Sequence, residues 1–66
     1  MQIIVNGQDR LVQPGATVAD LVAALALAGR RIAVELNGEI VPKSSHATRS
    51  LGEGDRVEIV VAVGGG

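Results

Sequence analysis

Several residue types that carry chemistry or bulk are missing from this chain. It has no cysteine, no phenylalanine, tyrosine or tryptophan, and only one histidine. The usual ligands of zinc and the groups of thiol redox chemistry are therefore missing, and we expect neither a metal site nor a disulfide framework. The core must be built from aliphatic side chains alone, and its many valines and isoleucines favour sheet.

An excess of charge of one sign is also missing. Six basic and seven acidic residues give a formal net charge of −1, which leaves no electrostatic footprint for nucleic acid or an anionic membrane. No apolar run approaches the roughly 20 residues of a membrane-spanning helix. We therefore expect a soluble, cytoplasmic protein with no nucleic-acid and no membrane partner. A length of 66 residues predicts one domain, near the lower limit for a stable core.

Turn residues predict a hairpin at the start of the chain. The apolar run Ile3-Ile4-Val5 leads into Asn6-Gly7, a dipeptide that accepts the positive φ angles of tight hairpin turns. Arg10 to Gln13 then reads as a short returning strand, and Pro14-Gly15 ends it. The sequence therefore predicts an N-terminal β-hairpin.

A helix is predicted next. Thr17 and Asp20 have the spacing of a capping box, and apolar residues then recur at helical intervals. Gly29 is well placed to end the helix in a left-handed cap. We predict a helix over about 18–28, with Asp20, Ala23 and Leu27 on its outer face.

The second half of the chain predicts three more strands. Residues 31–36 alternate with period two up to the turn Asn37-Gly38, residues 39–41 return as a short strand, and 43–50 form a polar loop that Leu51 pins to the core. In the last strand we expect alternate residues to face inward, namely Val57, Ile59, Val61 and Val63. Val60 and Ala62 then point outward.

This order of elements predicts an α+β fold. A single helix needs one apolar sheet face to cover, so the pattern indicates a mixed sheet of four to five strands with one helix packed across one face, the β-grasp (ubiquitin-like) arrangement. We assign residues 1–63 to this domain and residues 64–66 to a flexible glycine tail.

The glycines Gly64, Gly65 and Gly66 offer no side chain for packing. When extended they span at most about 10 Å, enough to carry a carboxylate out of a compact domain into a narrow channel of a partner. The alternative is a frayed terminus or a flexible linker. We favour the functional interpretation because of the motifs that precede the glycines.

Those motifs resemble the ThiS family of bacterial sulfur carrier proteins in order and spacing from end to end. The resemblance rests on the opening Met1 to Gly7, the run Leu36-Asn-Gly-Glu-Ile-Val-Pro-Lys43, the run Gly52-Glu-Gly-Asp-Arg-Val-Glu-Ile59 and the glycine end. The family ends in a diglycine, so Gly64 is an addition that either enters the partner channel or only spaces the tail from the domain.

The resemblance implies a protein co-substrate and not an enzyme. In that family an E1-like adenylating enzyme (ThiF-like) uses ATP and magnesium to activate the terminal carboxylate, here that of Gly66, because an ionised carboxylate is a poor electrophile. Sulfur from a donor such as a cysteine desulfurase gives a thiocarboxylate, which a thiazole synthase (ThiG-like) consumes in thiamine biosynthesis. The chain itself is expected to bind no cofactor, and Gly65 keeps the tail narrow.

Other interpretations stay open. Val60 and Ala62 form either an apolar docking patch beside the tail or scattered surface residues. The chain also suits a molybdopterin synthase small subunit, a ubiquitin-like modifier, or a β-grasp binding module whose glycines are incidental. His46 lies near serines and Asp55 has the right type for a triad, but such residues cannot be assumed to converge, and we expect His46 to be exposed.

Overall fold

Five strands and one α-helix make up residues 1–62, which the computed structural model describes. In chain order the elements are β1 (Gln2–Val5), β2 (Gln8–Leu11), α1 (Val18–Ala24), β3 (Ile32–Leu36), β4 (Glu39–Val41), a 3₁₀ turn (Lys43–Ser45) and β5 (Arg56–Val61). The predicted order of hairpin, helix, hairpin, loop and strand is confirmed. The predicted domain limit at residue 63 and the glycine tail lie outside the described residues and stay predictions.

The strands form one mixed sheet in the order β2-β1-β5-β3-β4. The central strand β5 runs parallel to β1 and antiparallel to β3, and the two hairpins are antiparallel. β5 is the last strand in residues 1–62 and lies in the middle of the sheet, with one hairpin on each side of it.

The two Asn-Gly dipeptides turn the chain as predicted. Asn6 and Gly7 have φ angles of 49° and 81°, and Asn37 and Gly38 have φ angles of 52° and 85°, which are the two left-handed conformations of a type I′ turn. The two-residue turn places Gln8 directly opposite Val5. The strand β2 therefore begins earlier than the predicted Arg10 and ends at Leu11.

The helix α1 begins with the predicted capping box. The Thr17 hydroxyl accepts a hydrogen bond from the Asp20 amide at 3.2 Å, and the Asp20 carboxylate accepts one from the Thr17 amide at 2.9 Å. The helix covers one face of the sheet and closes a core that is entirely aliphatic. Its most fully buried side chains are Ile3, Leu21, Leu36, Val18, Val34 and Val57.

The end of the helix differs from the prediction. The helix stops at Ala24, with Leu25 as its C-cap, because Ala26 adopts a left-handed φ of 60°. The Leu27 amide donates to the Val22 carbonyl and the Ala26 amide donates to the Ala23 carbonyl, each at 3.0 Å, which is the hydrogen-bond pattern of a Schellman motif. Alanine takes the position that glycine usually fills, so the residue type at this position does not indicate a helix cap.

Leu27 is consequently not on the outer face of the helix. It is half-buried and packs against the core from the segment that follows α1. Gly29 also has a left-handed φ, of 81°, but it belongs to the next turn and not to the helix cap. The outward-facing helical residues that remain from the prediction are Asp20 and Ala23, both exposed.

Leu51 pins the long loop before β5 as predicted. Its side chain is buried, and its amide donates to the Ala16 carbonyl at 2.9 Å. None of the helices in residues 1–62 has the length and apolar character that crossing a bilayer requires.

Candidate functional site: the open sheet face and the end of β5

Alternation along β5 separates its side chains onto two faces of the sheet. Val57 and Ile59 are buried beneath the helix, and Val61 is half-buried on the same side. Val60 lies on the opposite face, opposite Ala33 of β3, and is 65% exposed. Ala62 is exposed as well. The predicted outward placement of Val60 and Ala62 is confirmed.

The face of the sheet that the helix leaves uncovered carries more apolar surface than Val60 alone. Leu11 on β2 and Ile40 on β4 are 79% and 67% exposed. They lie near the two edges of the sheet, while Val60 lies on the central strand. Isolated exposed aliphatic residues are ordinary, but three large ones on one sheet face form a surface suited to a partner. We call this surface the open face.

Acidic residues adjoin the apolar ones on the open face. Glu35 of β3 and Glu58 of β5 are directly opposite each other, an arrangement of like charges that destabilises a sheet slightly. In the part of the chain that the structure describes, the one ion pair joins Arg49 to Glu39 at 3.7 Å and involves neither of these glutamates. The open face therefore presents an apolar centre next to two carboxylates.

On one side of β5, pairing with β3 and the residue before it continues to the last described residues of the chain. Val61 is paired with Ile32, and the Ala62 amide donates to the Arg31 carbonyl at 2.9 Å. Residues 63–66 follow directly from this point. The described part of the chain therefore ends at Ala62, two residues beyond Val60 on the open face.

On its other side, β5 pairs with β1 as far as Val57 and is bordered beyond that point by the side chain of Asn6. β1 ends at Val5, but the Asn6 side chain continues the pairing, because its amide nitrogen donates to the Ile59 carbonyl at 3.1 Å and its carbonyl accepts from the Ile59 amide at 2.8 Å. Within residues 1–62 no strand borders Val61 on this side. Sequence reasoning read Asn6 only as a turn residue and missed this role.

Gly64, Gly65 and Gly66, the predicted tail and reacting residue, lie outside the described residues, as does Val63. Their roles stay predictions.

The alternative catalytic ingredients do not come together. The His46 ring nitrogen Nε2 lies 3.1 Å from the Val41 carbonyl, to which it donates, and the side chain is half-buried, so the prediction of an exposed histidine is wrong. Asp55 instead accepts from the Gly52 amide and from the Asn37 side chain. Among residues 1–62, no group of three metal-ligating side chains lies close enough to hold a metal ion.

Comparison with known proteins identifies the family of this chain. The model of the ThiS family matches residues 3–66. The chain belongs to the ThiS family. The resemblance inferred from the sequence motifs is confirmed, and the family match extends through the three terminal glycines.

Solved structures of ThiS proteins have the same fold. The crystal structure of the thiamine biosynthesis protein ThiS from Geobacter metallireducens superposes with a TM-score of 0.84 at 33% identity and covers the whole of both chains. A solution NMR structure of a thiamine biosynthesis protein from the same organism gives a TM-score of 0.81 and is covered over 88% of its length. The predicted β-grasp fold is therefore confirmed, with five strands.

Two curated relatives of this ThiS-family chain are named thiazole synthase. The one from Paramagnetospirillum magneticum is 44% identical and the one from Magnetococcus marinus is 33% identical, each over all 66 residues of this chain. In both cases the chain spans 20% of the relative's length. A ThiS-like segment is thus part of much longer proteins that carry the thiazole synthase name.

Proposed function

We propose that this protein is a sulfur carrier of thiamine biosynthesis whose reacting group is the carboxylate of Gly66. The observation that carries the proposal is the family match over residues 3–66, which includes all three terminal glycines. The geometry supports it, because β5 ends beside an exposed apolar surface from which a narrow tail can enter a partner while the domain docks on the same partner.

The proposed chemistry begins with activation by an E1-like adenylating enzyme. A Gly66 carboxylate oxygen bonds to the α-phosphorus of ATP, and pyrophosphate leaves with magnesium balancing its charge. A persulfide sulfur, supplied by a donor such as a cysteine desulfurase, then bonds to the carbonyl carbon and AMP leaves. A thiol cleaves the resulting S–S bond, forms a disulfide with the former persulfide carrier, and releases the Gly66 thiocarboxylate.

The chain supplies no acid, base or metal ligand to these steps. It contributes a carboxylate on a backbone without side chains at Gly65 and Gly66, which lets a nucleotide and an attacking sulfur approach the carbonyl. Gly64 lengthens this tail. Activation is needed because the carboxylate is ionised near neutral pH and resists attack by a nucleophile.

Val60 and Ala62 are the proposed contacts for the activating enzyme. They lie on the open face at the start of the tail, and Val60 has most of its side chain in water. Burying an aliphatic side chain of the size of Val60 gives roughly 1.5–3 kcal/mol, which offsets part of the entropic cost of association.

A thiazole synthase is the proposed acceptor of the sulfur. Support comes from the two relatives of that name, each of which contains a segment similar to this whole chain. A carrier segment and the protein that consumes its sulfur gain from lying together, because linkage raises the effective concentration of the tail at the acceptor site.

Intact mass spectrometry tests the proposal. The protein is incubated with ATP, magnesium, an E1-like enzyme and a cysteine desulfurase with its substrate, next to a variant that lacks Gly66 and a variant with one residue appended. We expect the mass gain of one sulfur replacing one oxygen in the unaltered protein and in neither variant. An unchanged mass, with a known ThiS protein loaded in parallel, would overturn the carrier proposal.

The acceptor is tested in a second step. The loaded protein is offered to a thiazole synthase and, separately, to the large subunit of a molybdopterin synthase, each supplied with the small-molecule substrate that accepts the sulfur. We expect the thiocarboxylate to return to a carboxylate only with the thiazole synthase. Turnover only with the molybdopterin enzyme would keep the carrier chemistry and contradict the thiamine assignment.

A further inference from the structure

A groove of about 560 Å³ lies on the helix side of the sheet, away from the open face. It is bordered by α1, by the segment between α1 and β3, and by the 3₁₀ turn. We call it the cationic groove and define it by Val22, Leu27, Arg30, Arg31, Lys43 and His46. Nothing in the proposed sulfur chemistry uses these residues.

Charge of one sign lines this groove. Arg30 and Arg31, from the segment after α1, and Lys43, from the 3₁₀ turn, are among its lining residues, and all three are exposed. Among residues 1–62, no acidic side chain lines the groove, and the one ion pair of that part of the chain, between Arg49 and Glu39, lies outside it. In a chain with a net charge of −1, three cations around one concavity form a local surface that attracts anions.

The floor of the groove is aliphatic. Val22 comes from the buried face of α1, Ile32 from the start of β3, and Leu27 from the Schellman motif, where it lies next to Val22. Three smaller apolar residues, Ala19, Ala28 and Ala47, also line the groove. An apolar side chain of a partner can therefore be buried in the groove close to its cationic residues.

The 3₁₀ turn that carries Lys43 is anchored by hydrogen bonds. The His46 carbonyl accepts from the Ala19 amide at 2.8 Å, the His46 amide donates to the Lys43 carbonyl at 3.1 Å, and the His46 ring donates to the Val41 carbonyl. These bonds tie the 3₁₀ turn to the helix and to β4. A groove with fixed walls loses little conformational entropy when it is filled.

The chemistry of the lining favours a peptide over a nucleotide or a free phosphate. The chain contains no aromatic residue on which a base would stack. The cations come from two separate segments, and aliphatic side chains share the lining with them, which suits carboxylates spaced along a chain on either side of an apolar residue better than one compact anion. The Arg31 carbonyl also accepts a hydrogen bond from the Ala62 amide, so one lining residue of the groove contacts the residue that follows β5.

We propose that the cationic groove binds an acidic peptide segment of a protein partner, with glutamate or aspartate side chains meeting Arg30, Arg31 and Lys43 and an aliphatic side chain on Val22 and Leu27. The open face and the groove lie on opposite sides of the sheet. A partner segment can therefore occupy the groove whether or not another protein covers the open face.

NMR spectroscopy tests this proposal on the whole chain without any enzyme of sulfur transfer. The probe is a short blocked peptide in which glutamates flank one leucine. The matched peptides replace the glutamates by lysines or the leucine by serine. His46 is the single histidine of the chain, so its imidazole signal reports on the groove without ambiguity. We expect the glutamate–leucine peptide alone to shift this signal strongly, and the serine peptide to bind more weakly.

Charge-reversal variants locate the site. Arg30→Glu and Lys43→Glu each weaken binding about tenfold or more, a change of about 1.4 kcal/mol. The matched control, Arg56→Glu, makes the same charge change on the open-face side of β5 and weakens binding much less. Backbone amide spectra confirm that each variant is folded.

Two results would overturn the proposal. If AMP or inorganic phosphate shifts the His46 signal while the glutamate–leucine peptide does not, the groove binds small anions. If neither peptide nor small anion shifts the signal, or if Arg56→Glu weakens peptide binding as much as Lys43→Glu, the groove is not a peptide site. Because sulfur loading is not measured, failure here leaves the carrier proposal intact.

Discussion

The Asn6 side chain makes hydrogen bonds to β5 at a position where β1 has ended. The left-handed backbone of Asn6 turns the chain out of β1, and its amide group then makes two hydrogen bonds to Ile59. Since β1 has already ended, these bonds satisfy backbone groups of β5 that would otherwise rely on water. The turn and the boundary of the central strand thus depend on the same residue.

Replacing Asn6 by glycine separates these two roles. Glycine adopts the left-handed conformation without steric cost, so Asn6→Gly keeps the turn and removes only the two side-chain bonds. We expect a loss of about 1–3 kcal/mol of stability, because two hydrogen bonds that each contribute about 0.5–1.5 kcal/mol net are removed and glycine also increases the entropy of the unfolded chain. Urea unfolding followed by far-UV circular dichroism measures it, since the chain has no tyrosine or tryptophan to fluoresce.

Hydrogen exchange identifies the bonds that are lost. The Ile59 amide should exchange faster in Asn6→Gly than in the unaltered protein, beyond the change expected from stability alone. In Asn6→Asp the carboxylate still accepts from that amide but no longer donates to the Ile59 carbonyl, so the amide stays more protected than in the glycine variant. Equal protection of Ile59 in all three proteins would contradict this role for Asn6.

The helix α1 is too short to be stable by itself. It has seven residues, whereas isolated helices shorter than about 12–15 residues are marginal in water. Its capping box, its Schellman motif and the burial of Val18, Leu21 and Val22 against the sheet must together hold it. The left-handed Ala26 is the one unfavourable feature at its ends, because this conformation costs an L-residue roughly 1–2 kcal/mol.

Ala26→Gly should therefore stabilise the protein. Glycine removes the steric cost at this position but increases the entropy of the unfolded chain, which costs about 0.5–1 kcal/mol, so we expect a net gain of up to about 1 kcal/mol. The matched control is Ala23→Gly, the same change at an exposed position within α1, which should destabilise by about 0.5–1 kcal/mol. Thermal unfolding by circular dichroism measures both. A destabilised Ala26→Gly protein would contradict the proposed strain.

The same helix shows what the sequence can and cannot predict. Thr17 and Asp20 announce the start because both partners of the capping box lie within one turn. The end depends on a left-handed alanine, which only the surrounding packing can impose, and Gly29 gave a false signal. The turns at Asn6-Gly7 and Asn37-Gly38 were predictable from the sequence. Asparagine and glycine are the residues that most readily adopt the two left-handed conformations of a type I′ turn.

At the scale of the whole molecule, the outward placement of Val60 was predictable and the groove around His46 was not. Strand alternation is a local rule, so Val57 and Ile59 inside imply Val60 outside. The groove joins residues from α1, the segment after it and the 3₁₀ turn, and no pattern along the chain brings Arg30 next to Lys43. Sequence reasoning therefore placed His46 in solvent.

The central position of β5 predicts which part of the open face contacts a partner. Under the proposed function, the partner that accepts Gly66 contacts the open face around Val60 on the middle strand, while Leu11 lies on the edge strand β2. Val60→Asp puts a carboxylate at the centre of that contact, next to Glu58 and Glu35. Burying an unpaired charge against an apolar partner is costly, so we expect the KM of the E1-like enzyme for the carrier to rise about tenfold or more, equivalent to at least about 1.4 kcal/mol.

Leu11→Asp is the matched control for this variant. Leu11 is even more exposed than Val60, at 79% against 65%, so each substitution places a carboxylate on a water-facing position of the same sheet face and should leave the fold and its unfolding temperature nearly unchanged. We expect a much smaller rise in KM for Leu11→Asp, with kcat little affected in either variant because the tail is untouched. Equal effects of the two variants would show that the open face acts only through its charge, and no effect of Val60→Asp would remove Val60 from the docking surface while leaving the tail chemistry to be decided by the mass measurement.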